Sequence, residues 1–359
     1  MRNFKIGCKT VTFLCILEIL IIICNDWVTE PAYTRLMLHE LYEPDEKYTM
    51  AFLGASHTYQ SFNPAIFDNQ LGECYSINLG SSGQSLAGTY FMLKEFLRLN
   101  SPNTVIMEIS YPSFEKDLYE RTAVTEYALF DYMRPSINKL CYFFNIFSPE
   151  DYANALFPVY RNRSKFEVSK VKENYKKKLE TGYYKYKPFG HVDGWNYLER
   201  GFVAVDWSYE NMGFEVNTPY KWDENLIIPD NIEYLKKIFS LCTSKGIDII
   251  AVTAPVPIYA AIQMQNYESV HDYFAEVANA CNVEYYDFNY CKADALKRND
   301  NLYFYDSGHM NKIGALEFSN VVCTILKQRA EETFDYEEYF YLSYDEMVTE
   351  CQSGSIYNF

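Results

Sequence analysis

Short apolar runs closed by glycine or small polar residues punctuate two parts of the chain. Tyr48 to Leu53 is mostly apolar up to Gly54, and "CYSINLG" (Cys74–Gly80) alternates before its glycine. "TVIMEIS" (Thr104–Ser110) is β-branched and almost wholly apolar. These patterns predict strands, the last one covered on both faces. "TYFMLKEFLRL" (Thr89–Leu99) spaces its apolar residues as one face of a helix. The alternation returns late in the chain. Asn231–Gly246 predicts an amphipathic helix ending on lysine and a C-cap glycine, Ile247–Pro255 a buried strand, and "ESVHDYFAEVANAC" another helix. "VEYYDFN" predicts a short strand, and Asn311–Ala330 a long helix with an apolar stripe. Strands alternating with helices imply a parallel sheet with helices on both faces.

Residues 113–225 break this rhythm. They are rich in Tyr, Phe, Asn and Lys and are expected to form an insertion or cap over the sheet, between sheet halves at 48–112 and 226–330. Residues 29–47 read as a connector, and 331–359 as an acidic, Tyr-rich tail that packs loosely. The first 28 residues stand apart. Arg2, Lys5 and Lys9 precede the apolar run Val11–Cys24, the layout of an export signal, and no small-x-small cleavage site follows. A retained signal anchor is expected, extended by Trp27 and Val28 toward the ~20 residues a bilayer needs. Glu18 inside it costs about 2.5–3.5 kcal/mol on insertion scales. The basic N-terminal flank then puts the rest of the chain outside the cytoplasm. The alternative is a buried N-terminal helix of a cytosolic protein.

A net charge of −16 argues against nucleic acid as a partner. The one basic block, 161–187, holds ten Lys/Arg against three Glu. It is either a solvated helical face or a contact for anionic lipid headgroups or an anionic polymer. The 34 tyrosines suit a strand-rich interior or a sugar groove equally. Ten cysteines contain no CxxC pair, so neither a zinc site nor a redox motif is indicated, and no metal or cofactor is expected.

Candidate chemistry sits at the strand ends. Ser56 follows the first strand in "LGASH", and a serine nucleophile needs a base and a group that orients the base. His309 lies in "DSGHMNKIGA", three residues after Asp306 and just before a helix. Loops at the C-terminal edge of a parallel sheet meet, so Ser56 and His309 can approach one another across the chain. "NLGSSGQS" (Asn78–Ser85) opens on that same edge, and its amides at Gly80 or Gly83 are candidate oxyanion donors.

In this order and at these positions, the three segments resemble the blocks of the SGNH (GDSL-type) hydrolase superfamily. The resemblance covers about 48–112 and 226–328. It implies a flavodoxin-like, three-layer α/β/α fold and a triad of Ser56, His309 and Asp306. It also implies an oxyanion hole from the Ser56 and Gly83 amides. One departure is plain: "ISYPSF" places Ser110 and Tyr111 where that family usually has Gly-x-Asn. This is similar to a membrane-anchored branch, the DltD-like and alginate-acetylation-like proteins, as are "TAPVPIY" and "YYDFN". The branch implies an esterase or O-acyltransferase acting on an acylated polysaccharide or teichoic-type polymer. A membrane-bound O-acyltransferase is its implied partner. The missing asparagine leaves open a degenerate binding or hand-over protein. Ser110 and Tyr111 are candidate substrate-facing residues. His57 is either substrate-facing or a structural hydrogen-bonder. Gly-x-Ser-x-Gly and Gly-x-Gly-x-x-Gly are both lacking, which sets aside an α/β-hydrolase and a dinucleotide-binding enzyme.

Overall fold

The five predicted apolar runs pair edge to edge in one parallel sheet. The computed structural model describes residues 2–116, 124–190, 194–208, 220–298 and 300–352. Parts of the 113–225 insertion and the last seven residues of the tail lie outside the described residues. In chain order, α1 (Arg2–Val28) and α2 (Tyr33–Tyr42) lead into β1 (Met50–Leu53). Then come α3 (Ser56–Ser61), α4 (Pro64–Leu71), β2 (Ser76–Asn78), α5 (Leu86–Leu99) and β3 (Thr104–Glu108). Helix α5 starts three residues before its apolar pattern because the Ser85 hydroxyl caps it, accepting from the Gly88 amide at 2.9 Å.

The chain continues through α6 (Val124–Tyr132), α7 (Ile137–Ile146), α8 (Tyr152–Leu156), α9 (Pro158–Arg161) and α10 (Val168–Glu180). A hairpin of β4 (Trp195–Tyr197) and β5 (Val203–Val205) follows. The sheet resumes with α11 (Pro229–Thr243), β6 (Asp248–Thr253), α12 (Ile258–Ala261), α13 (Tyr267–Asn279) and β7 (Glu284–Asp287). The chain ends with α14 (Asp300–Tyr303), α15 (Lys312–Ala330), α16 (Tyr336–Tyr339) and α17 (Tyr344–Gln352).

Strand order is β2-β1-β3-β6-β7, all parallel, with Met50 opposite both Ser76 and Thr104. Order 2-1-3-4-5 is the doubly wound, flavodoxin-like arrangement. The chain leaves β1 in one direction through α4 and returns past it through α5. Right-handed crossovers then put those helices on opposite faces. Accordingly α15 packs on α3 and α4, and α5 packs on α11. The switch point, where such sheets open a crevice, lies between the ends of β1 and β3.

The segment between β3 and α11 packs chiefly through α7 on α5, through α6 on α2, and through α9 and α10 on α1. Its hairpin lies against α3. The tail departs from the loose packing expected of it. Tyr341 donates its amide to the Tyr290 carbonyl at 2.9 Å, and Phe340 and Met347 are fully buried. Apolar residues interrupt the acidic ones often enough to cover the end of β7, and that burial outweighs the local charge.

Helix α1 contains 21 residues, Cys8–Val28, long and apolar enough to cross a bilayer. Only 6% of its apolar 18-residue window is buried. A core helix of a soluble domain would instead be covered.

Candidate active site

The site is built on the loops at the switch point. β1 ends at Leu53 and the chain turns at Gly54, whose φ is +145°. A Cβ there would stand 2.1 Å from Thr58 Oγ1 and 3.1 Å from the Glu108 side chain, so only glycine lets the chain enter α3 at once. Ser56 is therefore the first residue of α3, above the edge of the sheet. The buried Asn78 at the end of β2 fastens this helix. Its amide nitrogen donates to the Thr58 carbonyl at 2.7 Å and to the Phe62 carbonyl at 3.1 Å.

His309 is held from the other side of the chain. Asn311 caps α15, accepting from the Ile313 and Gly314 amides at 2.9 and 3.0 Å, and donates to the Leu302 carbonyl at 2.6 Å. Gly314 lies so close to Tyr303 that a Cβ would sit 2.2 Å from the Tyr303 carbonyl oxygen. The loop 303–311 is thus tied at both ends.

Three of the predicted residues come together. Ser56 Oγ and His309 Nε2 are 2.8 Å apart, and His309 Nδ1 is 2.9 and 3.0 Å from the two Asp306 oxygens. Asp306 Oδ1 also accepts from the Gly308 amide at 2.8 Å and the His309 amide at 2.7 Å. Burial works against ionisation of Asp306. The His309 ring and the two amides outweigh it and hold the carboxyl below the usual range. A carboxylate facing Nδ1 selects the tautomer with the proton there, which leaves the Nε2 lone pair for the Ser56 hydroxyl proton.

His57 stacks on His309, with ring centroids 4.4 Å apart. Burial pushes its imidazole down to about 3; His309 adds to the shift and Asp306 opposes it. A neutral His57 therefore lies against the ring that would carry charge. Gly83, with φ +65°, occupies the third position of a turn whose Gln84 amide donates to the Ser81 carbonyl at 3.1 Å. Gly80 lies closer to the serine loop, since a Cβ on it would be 2.7 Å from the Ala55 carbonyl oxygen. Its amide is already taken by Asn78 Oδ1, at 3.1 Å.

A cavity of about 200 Å³ opens beside the histidines, lined by His57, Gly308, Ser110, Tyr111 and Thr253. The buried Tyr111 hydroxyl donates to Met264 Sδ at 3.2 Å. The cavity is also lined by Glu108, the last residue of β3, which the sequence reading passed over. Glu108 is 2% exposed, and its Oε2 has no hydrogen-bond partner among the described residues. Burial pushes its carboxyl up to about 8, with the Ala254 amide and the Thr58 hydroxyl offsetting this only in part. The available signal was one acidic residue inside a strand otherwise apolar. A second cavity, of about 290 Å³ and mostly apolar, lies between α2 and the loop after β2, lined by Tyr33, Met37, Tyr59, Gly80 and Ser82. Among the described residues, no three of His, Cys, Asp and Glu converge as metal ligands would.

No family model matches this sequence, and no curated protein matches it. Solved structures with a similar arrangement include a psychrotrophic esterase from Pseudoalteromonas sp. inhibited by monoethylphosphonate. It is 11% identical, with 79% of this chain and all of that one covered, and the TM-score is 0.37. A GDSL-like lipase from Bacteroides thetaiotaomicron VPI-5482 is also 11% identical, with 84% and 98% covered and a TM-score of 0.37. Likeness at that level does not fix the chemistry of this chain, which rests on its own side chains.

Proposed function

We propose that this protein is a serine acyl-ester hydrolase or O-acyltransferase with Ser56 as nucleophile, His309 as base and Asp306 as its orienting group. The observation that carries this reading is the continuous chain of contacts from Ser56 Oγ through both His309 nitrogens to Asp306, at 2.8 and 2.9 Å. Ser56 attacks an ester carbonyl while Nε2 takes its proton, and Asp306 stabilises the resulting imidazolium. The oxyanion meets the Ser56 amide at the start of α3, with the Gly83 amide as second donor, as the family resemblance implies. Collapse of the tetrahedral intermediate returns the proton to the leaving alcohol. Water or a sugar hydroxyl then takes the acyl group by the same steps in reverse.

The apolar cavities beside the site suit an acyl group. With α1 as anchor, the reading extends to a domain outside the cytoplasm acting on an acylated envelope glycan or teichoic-type polymer, in company with a membrane-bound O-acyltransferase. Reaction with a fluorophosphonate probe tests the chemistry. Wild type should label and Ser56→Ala should not; equal labelling of the two would remove the nucleophile assignment.

A second reading is a binding or hand-over protein that does not turn over. It is favoured by Tyr111, whose hydroxyl is committed to Met264 and offers no side-chain donor to an oxyanion. Its signature in the same experiment is a wild type that stays unlabelled.

A further inference from the structure

The last turn of α1 is gripped by the segment that follows α8. Asn25 Oδ1 accepts from the Val159 amide at 2.8 Å, and Lys178, itself buried, pairs with Asp26 at 3.0 Å. Asn174 donates to the Trp27 and Thr29 carbonyls, each at 2.9 Å, and the Trp27 and Phe166 rings are 6.1 Å apart. These contacts fall where the apolar stretch Cys8–Val28 ends. Helices α9 and α10 therefore sit at the level where a spanning helix leaves the bilayer.

Helix α10 turns its polar residues Asn174 and Lys178 toward α1 and leaves apolar ones outside. Val168, Tyr175 and Leu179, at i, i+7 and i+11, are 74%, 52% and 57% exposed, and Lys172 and Lys176 lie exposed among them. Helix α7 repeats the pattern: Ile137, Leu140 and Phe144, at i, i+3 and i+7, are 77%, 56% and 63% exposed. The two helices are linked through α8, where the Tyr152 ring lies 6.0 Å from Phe144, and through α9. An apolar stripe left in water on one helix is unusual, and two in the segment that grips the end of an apolar span mark an interaction surface. Lysines set among apolar and aromatic side chains are the makeup of a helix lying in a membrane interface, where the stems stay in the apolar layer and the ammonium groups meet phosphates. The charge agrees: this acidic chain concentrates its positive residues in 161–187.

We propose that the exposed faces of α7 and α10 form a membrane-docking surface, lying in the anionic headgroup layer of the bilayer that α1 spans. The proposal rests on the reading of α1 as a span. Docking holds the catalytic loops at one height and tilt above the membrane, where an anchor alone would let the domain swing.

Photo-crosslinking of the full chain in lipid nanodiscs tests this, with benzoylphenylalanine placed singly at Ile19, Phe144, Val168 or Lys236. Lipid adducts are expected at Ile19, Phe144 and Val168 and none at Lys236, on the exposed side of α11. In phosphatidylglycerol discs, Lys172→Glu with Lys176→Glu should lower the Val168 adduct severalfold while leaving the Ile19 adduct unchanged. Adducts at Ile19 alone would overturn the docking surface and leave the span standing. No adduct at Ile19 would overturn both. A Val168 adduct equally strong in phosphatidylcholine discs and indifferent to the two glutamates would overturn the headgroup assignment.

Discussion

Glu108 ties the stability of the protein to pH in a direction that can be worked out from its surroundings. The carboxyl ends β3 in a cavity beside His57, with Oε2 unpaired among the described residues and a value pushed from 4.5 to about 8 by burial. Between those values the folded protein keeps a proton that the unfolded chain has released. Stability contributed by the neutral carboxyl is complete below the unfolded value and is lost as pH rises through the window. The slope is about 1.4 kcal/mol per pH unit, so roughly 3 kcal/mol is gone by pH 7 and about 5 kcal/mol by pH 8 as an upper bound. Glu108→Gln keeps the shape, can still accept from the Ala254 amide, and cannot ionise. Urea unfolding of the full chain in detergent, read by tryptophan fluorescence at pH 5, 6, 7 and 8, gives the difference between variant and wild type. The variant should gain stability relative to wild type at each step, with groups common to both cancelling. A difference that stays constant across the range would refute the reasoning, and with it the neutral carboxyl in the site.

Two further outcomes follow from the His309 loop. Asp306→Asn leaves the shape but removes the charge that favours the Nδ1 proton, so ester turnover and fluorophosphonate labelling should fall by about 10⁴-fold with the fold intact by circular dichroism; a variant within tenfold of wild type would exclude Asp306 as the orienting group. Gly314→Ala forces a methyl to within 2.2 Å of the Tyr303 carbonyl oxygen. It should cost about 2–3 kcal/mol and slow labelling of Ser56 through the displaced loop, whereas an unchanged melting temperature would show that α15 does not clamp it.

What the sequence made legible, and what it hid, have a common physical source. The strands at 50, 104 and 248, inside the sheet, were readable because a strand buried on both faces is apolar along most of its length and its exit must break that run. The edge strands at 76 and 284 showed only alternation and β-forming tyrosines. Helices α3 and α4 were not, since six and eight residues give too few turns for a periodicity to stand out. The tail misled because net charge is a property of the whole segment, whereas burial is decided by single residues such as Phe340 and Met347.

The site divides in the same way. Ser56, Asp306 and His309 could be named from their motifs, because the chemistry demands those residue types at loop positions beside strand ends. Their 2.8–3.0 Å contacts could not, because the spacing is set by residues with no catalytic signature. Gly54 lets α3 begin at once, Asn78 fastens its backbone, and Gly314 lets α15 close on Tyr303. Glu108 was hidden by the strength of the pattern around it, since one carboxyl in "TVIMEIS" does not disturb an apolar strand. A carboxyl at a switch point is nonetheless costly to bury, and Glu108, which pairs with no cation among the described residues, points to the crevice rather than to the core. The most informative position on β3 is thus the one that violates the rule by which β3 was recognised.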